Sequence, residues 1–352
     1  MTMIIFIVSL GAVMAMGVPI AFALLLSAVF MMLYLDNFSA QIIAQNVISG
    51  ADNYTMMAVP FFILAGDLMG SGGLSKRIVN MSLALMGHVR GGLGYVTILV
   101  MVLFAGLAGS AVASAAALGA ILIPMMADAG YSRERATALI ASGSLIDPII
   151  PPSIPMIVFG VIGGVSISKL FVSGIFPGLM MAVALAVTWG IVSRKDNVAP
   201  LPRRSFKEMV TAILEAVWAL LLPTIIVVGM RTGIFTATEA SVVAVAYAIF
   251  VGSVVYRELT LKIFFRSVVS AAKMTSVVMF LLAAAMVSAW LIAIANIPQT
   301  VTEILQPFMG NRLVLMLIIN VVIIVIVTAM HATPPILILT PVLLPIVKQA
   351  GI

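Results

Sequence analysis

Uncharged runs long enough to cross a bilayer recur along this chain and constrain it more than any other feature. Phe171–Ser193, Ala240–Tyr256, Met274–Thr302 and Leu313–Met330 contain no charged residue, and a span needs about 20 apolar residues. The composition agrees, with 63% hydrophobic and 9% charged residues in 352. Together with shorter apolar pieces, the runs predict an all-α polytopic membrane protein with roughly 9 to 11 membrane segments. The N-terminus enters its apolar run without a basic region and reads as a retained first segment rather than a signal peptide. Cysteine is absent, so no disulfide framework exists. The net charge of +6 comes from short basic loops, chiefly between Ser193 and Lys207. That pattern reports cytoplasmic orientation and does not call for nucleic acid.

Residues 194–209 form the one obvious linker and separate two apolar halves, 1–193 and 210–352. At an offset of 221, "ILIPMMADAGY" (121–131) falls on "VLLPIVKQAGI" (342–352), with Pro124 on Pro345 and Ala129-Gly130 on Ala350-Gly351. The same offset pairs 93–109 with 314–330 and Ser110 with His331, which is read as an internal duplication. Residues 132–193 would then have counterparts after Ile352, so the second repeat is expected to be incomplete.

Between Arg90 and Asp128 lie 37 uncharged residues, too many for one ordinary span, interrupted by the small, polar "AGLAGSAVASAA" (105–116). This predicts a broken helix. Arg135–Leu145 predicts a half-length helix, "IDPIIPPS" a non-helical tip, and Pro155–Gly163 a second half-length helix, so that the whole is a re-entrant hairpin. Four prolines in eight positions (148, 151, 152 and 155) remove N–H donors and block the carbonyls one turn back. In hydrocarbon such backbone survives only where protein or a water-filled cavity surrounds it. Carbonyls freed this way suit a cation, and the N–H groups opening the next half-helix suit an anion. Ser153 is the expected N-cap, with proline in the first turn. A proline kink in a core helix is the plainer alternative.

The candidate substrate- and ion-binding residues are Gly109, Ser110, Ser114, Asp147, Pro148, Pro151, Pro152, Ser153, His331, Thr333 and Thr340. Sodium is placed at Gly109, Ser110, Asp147 and Thr333. Close helix packing by small residues also accounts for 109–119. Asp147 and His331 are ionisable groups at membrane depth, although an interfacial position would explain both. Thr236-x-x-Glu239 reads as a capping box opening 240–256. Asp67 sits at a helix end before a glycine turn, Glu215 and Arg231 flank an apolar run, and the 25 methionines are filler. No HExxH site or phosphate-binding loop is present, so an enzyme is not expected. An aspartyl pair of Asp67 and Asp147 lacks the glycine-flanked setting an intramembrane protease would need.

"GVPIAFALLLSA" (17–28), "VPFFILAGDLMGSGGLSKRIV" (59–79), "GHVRGGLGYV" (87–96), "FAGLAGSAVASAAALGAILIP" (104–124), "PIIPPSIPMIVFG" (148–160), "GIFTATEASVVAVAYA" (233–248) and "ILILTPVLLPIVKQAGI" (336–352) together resemble the DctM-like large membrane (permease) subunit of tripartite ATP-independent periplasmic (TRAP) transporters, in order and across the whole chain. The resemblance implies a multi-pass protein of the bacterial inner membrane with two inverted repeats and an elevator-type transport domain. Sodium is the implied coupling ion, and no other cofactor is expected. The implied partners are a small membrane subunit, separate or fused, and a periplasmic solute-binding protein that delivers organic acids such as dicarboxylates, sialic acid or sugar acids. Three departures accompany it. The chain stops before a second proline tip, His331 stands where an aspartate is expected, and Asp147 stands where a small residue is expected. A shortened chain would lack one of two symmetric clamps, so an inactive fragment is one expectation and a non-transporting scaffold or assembly component is the alternative.

Overall fold

A computed structural model describes residues 2–196, 198–328 and 333–351. Among them the chain is all helical, with no strand. In order the helices are α1 (Thr2–Ala15), α2 (Ile20–Tyr34), α3 (Ala40–Ala51), α4 (Ala58–Ser71), α5 (Leu74–Met86), α6 (Gly92–Ala108), α7 (Ala111–Asp128) and α8 (Arg133–Gly143). They continue with α9 (Ile154–Gly163), α10 (Ile167–Val192), α11 (Phe206–Arg231), α12 (Ala237–Phe250), α13 (Leu261–Ile294), α14 (Ile297–Leu305), α15 (Arg312–Val327) and α16 (Thr333–Gln349). Among the described residues six helical segments are long and apolar enough to span a membrane, and the shorter apolar helices include one of the predicted half-length pieces, α9; the other, α8, is equally short but opens with charged residues.

Local chemistry sets most boundaries. Ser132 and Ser166 accept hydrogen bonds from the N–H groups of Arg135 and Lys169, opening α8 and α10. The predicted Thr236–Glu239 capping box is formed at the start of α12, and a second one, Ser205–Glu208, opens α11 out of the polar linker. Each satisfies two orphan donors of the first turn. The uncharged run 274–302 is divided between two helices. Its first part belongs to the 34-residue α13, and the chain turns at Asn296 (φ 52°) into α14, which carries a proline in its first turn.

The boundaries also recur at the duplication offset. Moving α7 by 221 positions carries its last residue, Asp128, onto Gln349, the last of α16, and Pro124 and Pro345 lie inside the two helices. Pro334 and Pro335, which the sequence "HATPPILILTP" (331–341) offers as a break matching the one at 109–110, lie within α16. α15 ends at Val327, with Thr328 as its C-cap.

The chain forms two compact units. One comprises 1–56, 158–165 and 275–352, and the other 57–157 and 166–274. In the first, α1 packs on α2 and α16 on α14 and α15. The ring of Phe22 lies 5.2 Å from that of Phe280, and Ser288 Oγ donates to the Leu24 carbonyl at 3.4 Å. In the second unit α6 is central, packed on α4, α5, α7, α8 and α10, while α4 also runs along α12 and α5 along α11.

The linker does not hang free of the second unit. The Leu201 N–H donates to the Gly87 carbonyl at 3.1 Å, Arg135 pairs with Asp196, and Arg90 donates to the Arg194 carbonyl at 3.1 Å. Val198 packs against a core cluster containing Tyr131 and Trp189. Trp189 Nε1 donates to the Gly91 carbonyl at 2.8 Å. Burial first, and the Asp196 carboxylate second, push the Tyr131 phenol above its ordinary range, so it stays neutral beside the linker.

Candidate functional site

The predicted break and the predicted tip both form, and they meet. α6 stops at Ala108, Gly109 adopts a left-handed φ of 60°, and Ser110 is extended before α7 begins at Ala111. Glycine supplies that left-handed residue at no steric cost. Ser110 makes no side-chain cap to α7, which leaves the first N–H groups of α7 pointing out of the helix end.

Facing this break, α8 ends in a single 3-10 turn, Ser144–Ile146. The N–H groups of Ile149 and Ile150 both reach the Ile146 carbonyl, at 3.0 and 3.1 Å. From there to Ser153 the chain is irregular, and the Pro151–Pro152 peptide is cis. Ser153 Oγ donates to the Pro148 carbonyl and accepts from the Met156 N–H at 3.3 Å. It is therefore the cap of α9, with Pro155 in the first turn, as expected.

The tip carbonyls are the unusual groups. Among the described residues those of Ile149, Ile150, Pro151 and Pro152 accept no hydrogen bond. Pro151 to Ile154 are nonetheless buried, and Ile149 and Ile150 are half-buried. What they meet is bare backbone. A Cβ on Gly109 would stand 2.6 Å from the Pro152 oxygen, and one on Gly106 would stand 3.6 Å from the Pro151 oxygen. The Ile149 oxygen lies against Gly174 of α10, and the Ile150 side chain lies against Gly178 one turn on. Contacts of this kind are at most weak Cα–H···O interactions.

Asp147 is fully buried, and neither carboxylate oxygen has a partner. Ser114 is equally buried with its hydroxyl unpartnered. α7 and α8 run antiparallel across a short turn, with Gly119 against Ile140. Ser114, more than a turn nearer the start of α7, is therefore level with the 145–147 end of the hairpin arm. No basic residue occurs in 91–132 or in 136–168, so α6, α7, α9 and the tip offer Asp147 no cation, and the two arginines of α8 lie in its first turn, at the far end. A carboxylate buried unpaired costs several kcal/mol. The site thus presents a carboxyl, a hydroxyl and undonated carbonyls beside the N-termini of α7 and the half-length α9. This is a set of hard oxygen ligands suited to a small cation, with helix ends suited to an anion. Among the described residues no group of three His, Cys, Asp or Glu side chains gathers.

Seven of the eight first-half candidates are therefore placed at the tip or the break, and Ser114 lies just along α7. Of the second-half candidates, Thr333 and Thr340 both lie in α16 and are buried, seven residues apart and so on one helix face. There the Thr340 methyl would be 3.4 Å from a Cβ on Gly163, at the end of α9. His331 lies outside the described residues. Gly174 and Gly178 were missed, although G-IFP-G is the small-xxx-small spacing that signals close approach. So was Pro223 of α11, against which Gly106 packs.

Residues 7–352 match the model of the family described as "Tripartite ATP-independent periplasmic transporter, DctM component". The chain belongs to the DctM family. The 2,3-diketo-L-gulonate TRAP transporter large permease protein YiaN of Escherichia coli is 50% identical over 352 residues, which is 100% of this chain and 83% of the relative. The sialic acid TRAP transporter large permease protein SiaM of Vibrio cholerae is 37% identical over 336 residues, 96% of this chain and 79% of the relative. The isethionate TRAP transporter permease protein DctMQ of Oleidesulfovibrio alaskensis is 36% identical over 340 residues, 96% of this chain and 54% of the relative. As a DctM component the chain is a multi-pass inner-membrane permease and not an enzyme.

Proposed function

We propose that this DctM component is the permease subunit of a sodium-coupled importer of organic acids that works with a periplasmic solute-binding protein and a small membrane subunit. Sodium occupies the break and tip, held by Asp147, the undonated tip carbonyls and the backbone and hydroxyls at Gly109, Ser110 and Ser114. The organic anion sits at the N-termini of α7 and α9. Thr333, Thr340 and His331 serve the equivalent role in the second repeat. The repeats, 1–193 and 210–352 about the linker 194–209, are the inverted halves of an elevator in this reading.

The observation that carries the proposal is Asp147, fully buried, unpartnered and without a basic residue on α6, α7, α9 or its own tip. In its ionised form it would call for a visiting cation. The relatives named for 2,3-diketo-L-gulonate, sialic acid and isethionate support an organic acid as cargo, and the DctMQ name supports a membrane partner that can be fused.

Uptake by proteoliposomes containing the chain, its small membrane subunit and the binding protein is expected to require a sodium gradient. Asp147→Asn weakens sodium activation by on the order of tenfold, the worth of one charge-assisted ligand. Joint replacement of Pro151 and Pro152 by alanine lets the helix extend over the carbonyls and abolishes sodium dependence. Uptake that is indifferent to sodium, or unchanged in both variants, refutes the assignment.

A further inference from the structure

A second site lies away from the tip, on the seam between α5 and α11. There a cavity of about 300 Å³ is lined by Asn80 of α5, Arg204 at the end of the linker, and Lys207, Glu208, Thr211 and Glu215 of α11. Its charges are balanced but not used up. Among the described residues the side chains of Arg204, Lys207 and Glu215 form no ion pair. Glu208 turns one oxygen to its cap, accepting from the Ser205 N–H and hydroxyl at 2.8 Å each. The Thr211 hydroxyl donates to the Lys207 carbonyl at 2.9 Å, which leaves its oxygen free to accept.

Depth identifies what could enter. α11 has 26 residues and is about 39 Å long at 1.5 Å per residue, against a hydrocarbon core of about 30 Å. The excess falls at its polar start, beside the basic linker that marks the cytoplasmic side, so Arg204, Lys207 and Glu208 lie in the headgroup layer and Glu215, the last charge before the apolar run, lies at its inner edge. Beside the cavity's deep end and below it, Leu214, Trp218 and Leu221 are exposed at 63%, 39% and 38%. Their spacing makes one stripe running down the helix from the cavity face.

We propose that this cavity binds the headgroup of a phospholipid carrying a phosphate and a primary ammonium. Arg204 and Lys207 hold the phosphate, Glu215 and the Thr211 oxygen accept from the ammonium, and an acyl chain lies along Leu214, Trp218 and Leu221. Paired opposite charges suit this zwitterion better than a purely anionic lipid, and accepting oxygens suit a primary ammonium better than a trimethylated one.

The test is native mass spectrometry of the full chain released from mixed nanodiscs of phosphatidylcholine, phosphatidylethanolamine and phosphatidylglycerol. One phosphatidylethanolamine is expected to be retained. The double variant Arg204→Gln, Lys207→Gln reduces its retention by on the order of tenfold, the worth of a charge-assisted contact. Glu215→Gln keeps a bound phospholipid but abolishes the preference over phosphatidylglycerol, and this separates recognition from any loss of folding in the double variant. Millimolar inorganic phosphate leaves the lipid in place. Displacement by phosphate would make this a free-anion site, while retention that is equal in all variants, or a wild-type preference for phosphatidylglycerol, would overturn the assignment.

Discussion

Gly109 is the residue on which the break and the tip both depend. Its φ of 60° and the 2.6 Å that would separate a Cβ from the Pro152 oxygen rule out any side chain without movement. Gly109→Ala is expected to cost about 1–3 kcal/mol for the left-handed backbone and the clash, read as a lower unfolding midpoint in nanodiscs. Gly11, in α1 with open space around it, provides the contrast, since alanine there is neutral or stabilising by up to about 1 kcal/mol. Much of this was legible in the sequence. Glycine followed by serine, and proline at four of eight positions, act on their own backbone within a turn, so their effect shows without knowing the fold. Gly174 was not legible in the same way. Its role lies in what it faces, the Ile149 oxygen 25 residues earlier in the chain, and its spacing to Gly178 tells of close approach without telling to what. Gly174→Val is accordingly expected to displace the tip and lower sodium affinity while leaving α10 helical, a result to be read by circular dichroism alongside a sodium titration.

At the scale of elements, the helix starts carry their own chemistry. Capping boxes hold the openings of α11 and α12. Removing either cap, by Ser205→Ala or Thr236→Ala, should cost about 1 kcal/mol and raise hydrogen exchange in the first turn of that helix alone. Thr236–Glu239 was visible from sequence because it follows a glycine turn and precedes an apolar run. Ser205–Glu208 was hidden within a stretch that reads as linker, since basic residues surround it and the same letters serve both purposes. The split of α13 from α14 was hidden for the opposite reason. Asn296 interrupts an uncharged run without changing its hydrophobicity, and a left-handed asparagine is a single-residue signal that composition does not register.

Across the whole molecule, the linker shows how far local reading reaches. Its polarity marked it correctly as a boundary between apolar stretches, yet its residues are tied down through Leu201, Asp196 and Val198. The Arg135–Asp196 pair is partly exposed, at 41% and 15% for the two side chains. A double-mutant cycle with Arg135→Gln and Asp196→Asn is expected to give a coupling of only about 0.5–1 kcal/mol. Trp189 carries more. It is 4% exposed, packs on Tyr131 at 5.6 Å between ring centroids and donates to Gly91. Trp189→Ala should cost about 3–5 kcal/mol, with the loss appearing as faster exchange around residues 196–201. The two compact units depend on contacts far apart in the chain, and no window of sequence contains them.

Where the proline tip rests on α6 and α10, oxygen meets Cα–H and no donor is engaged. Drawing the two surfaces apart would therefore break no strong bond and strand no N–H group, so only the packing of Ile150 and Met156 on the glycines of α10 sets the cost of parting them. A latch of this make has little grip of its own, which leaves the decision to open or stay shut with whatever charge occupies the space beside it.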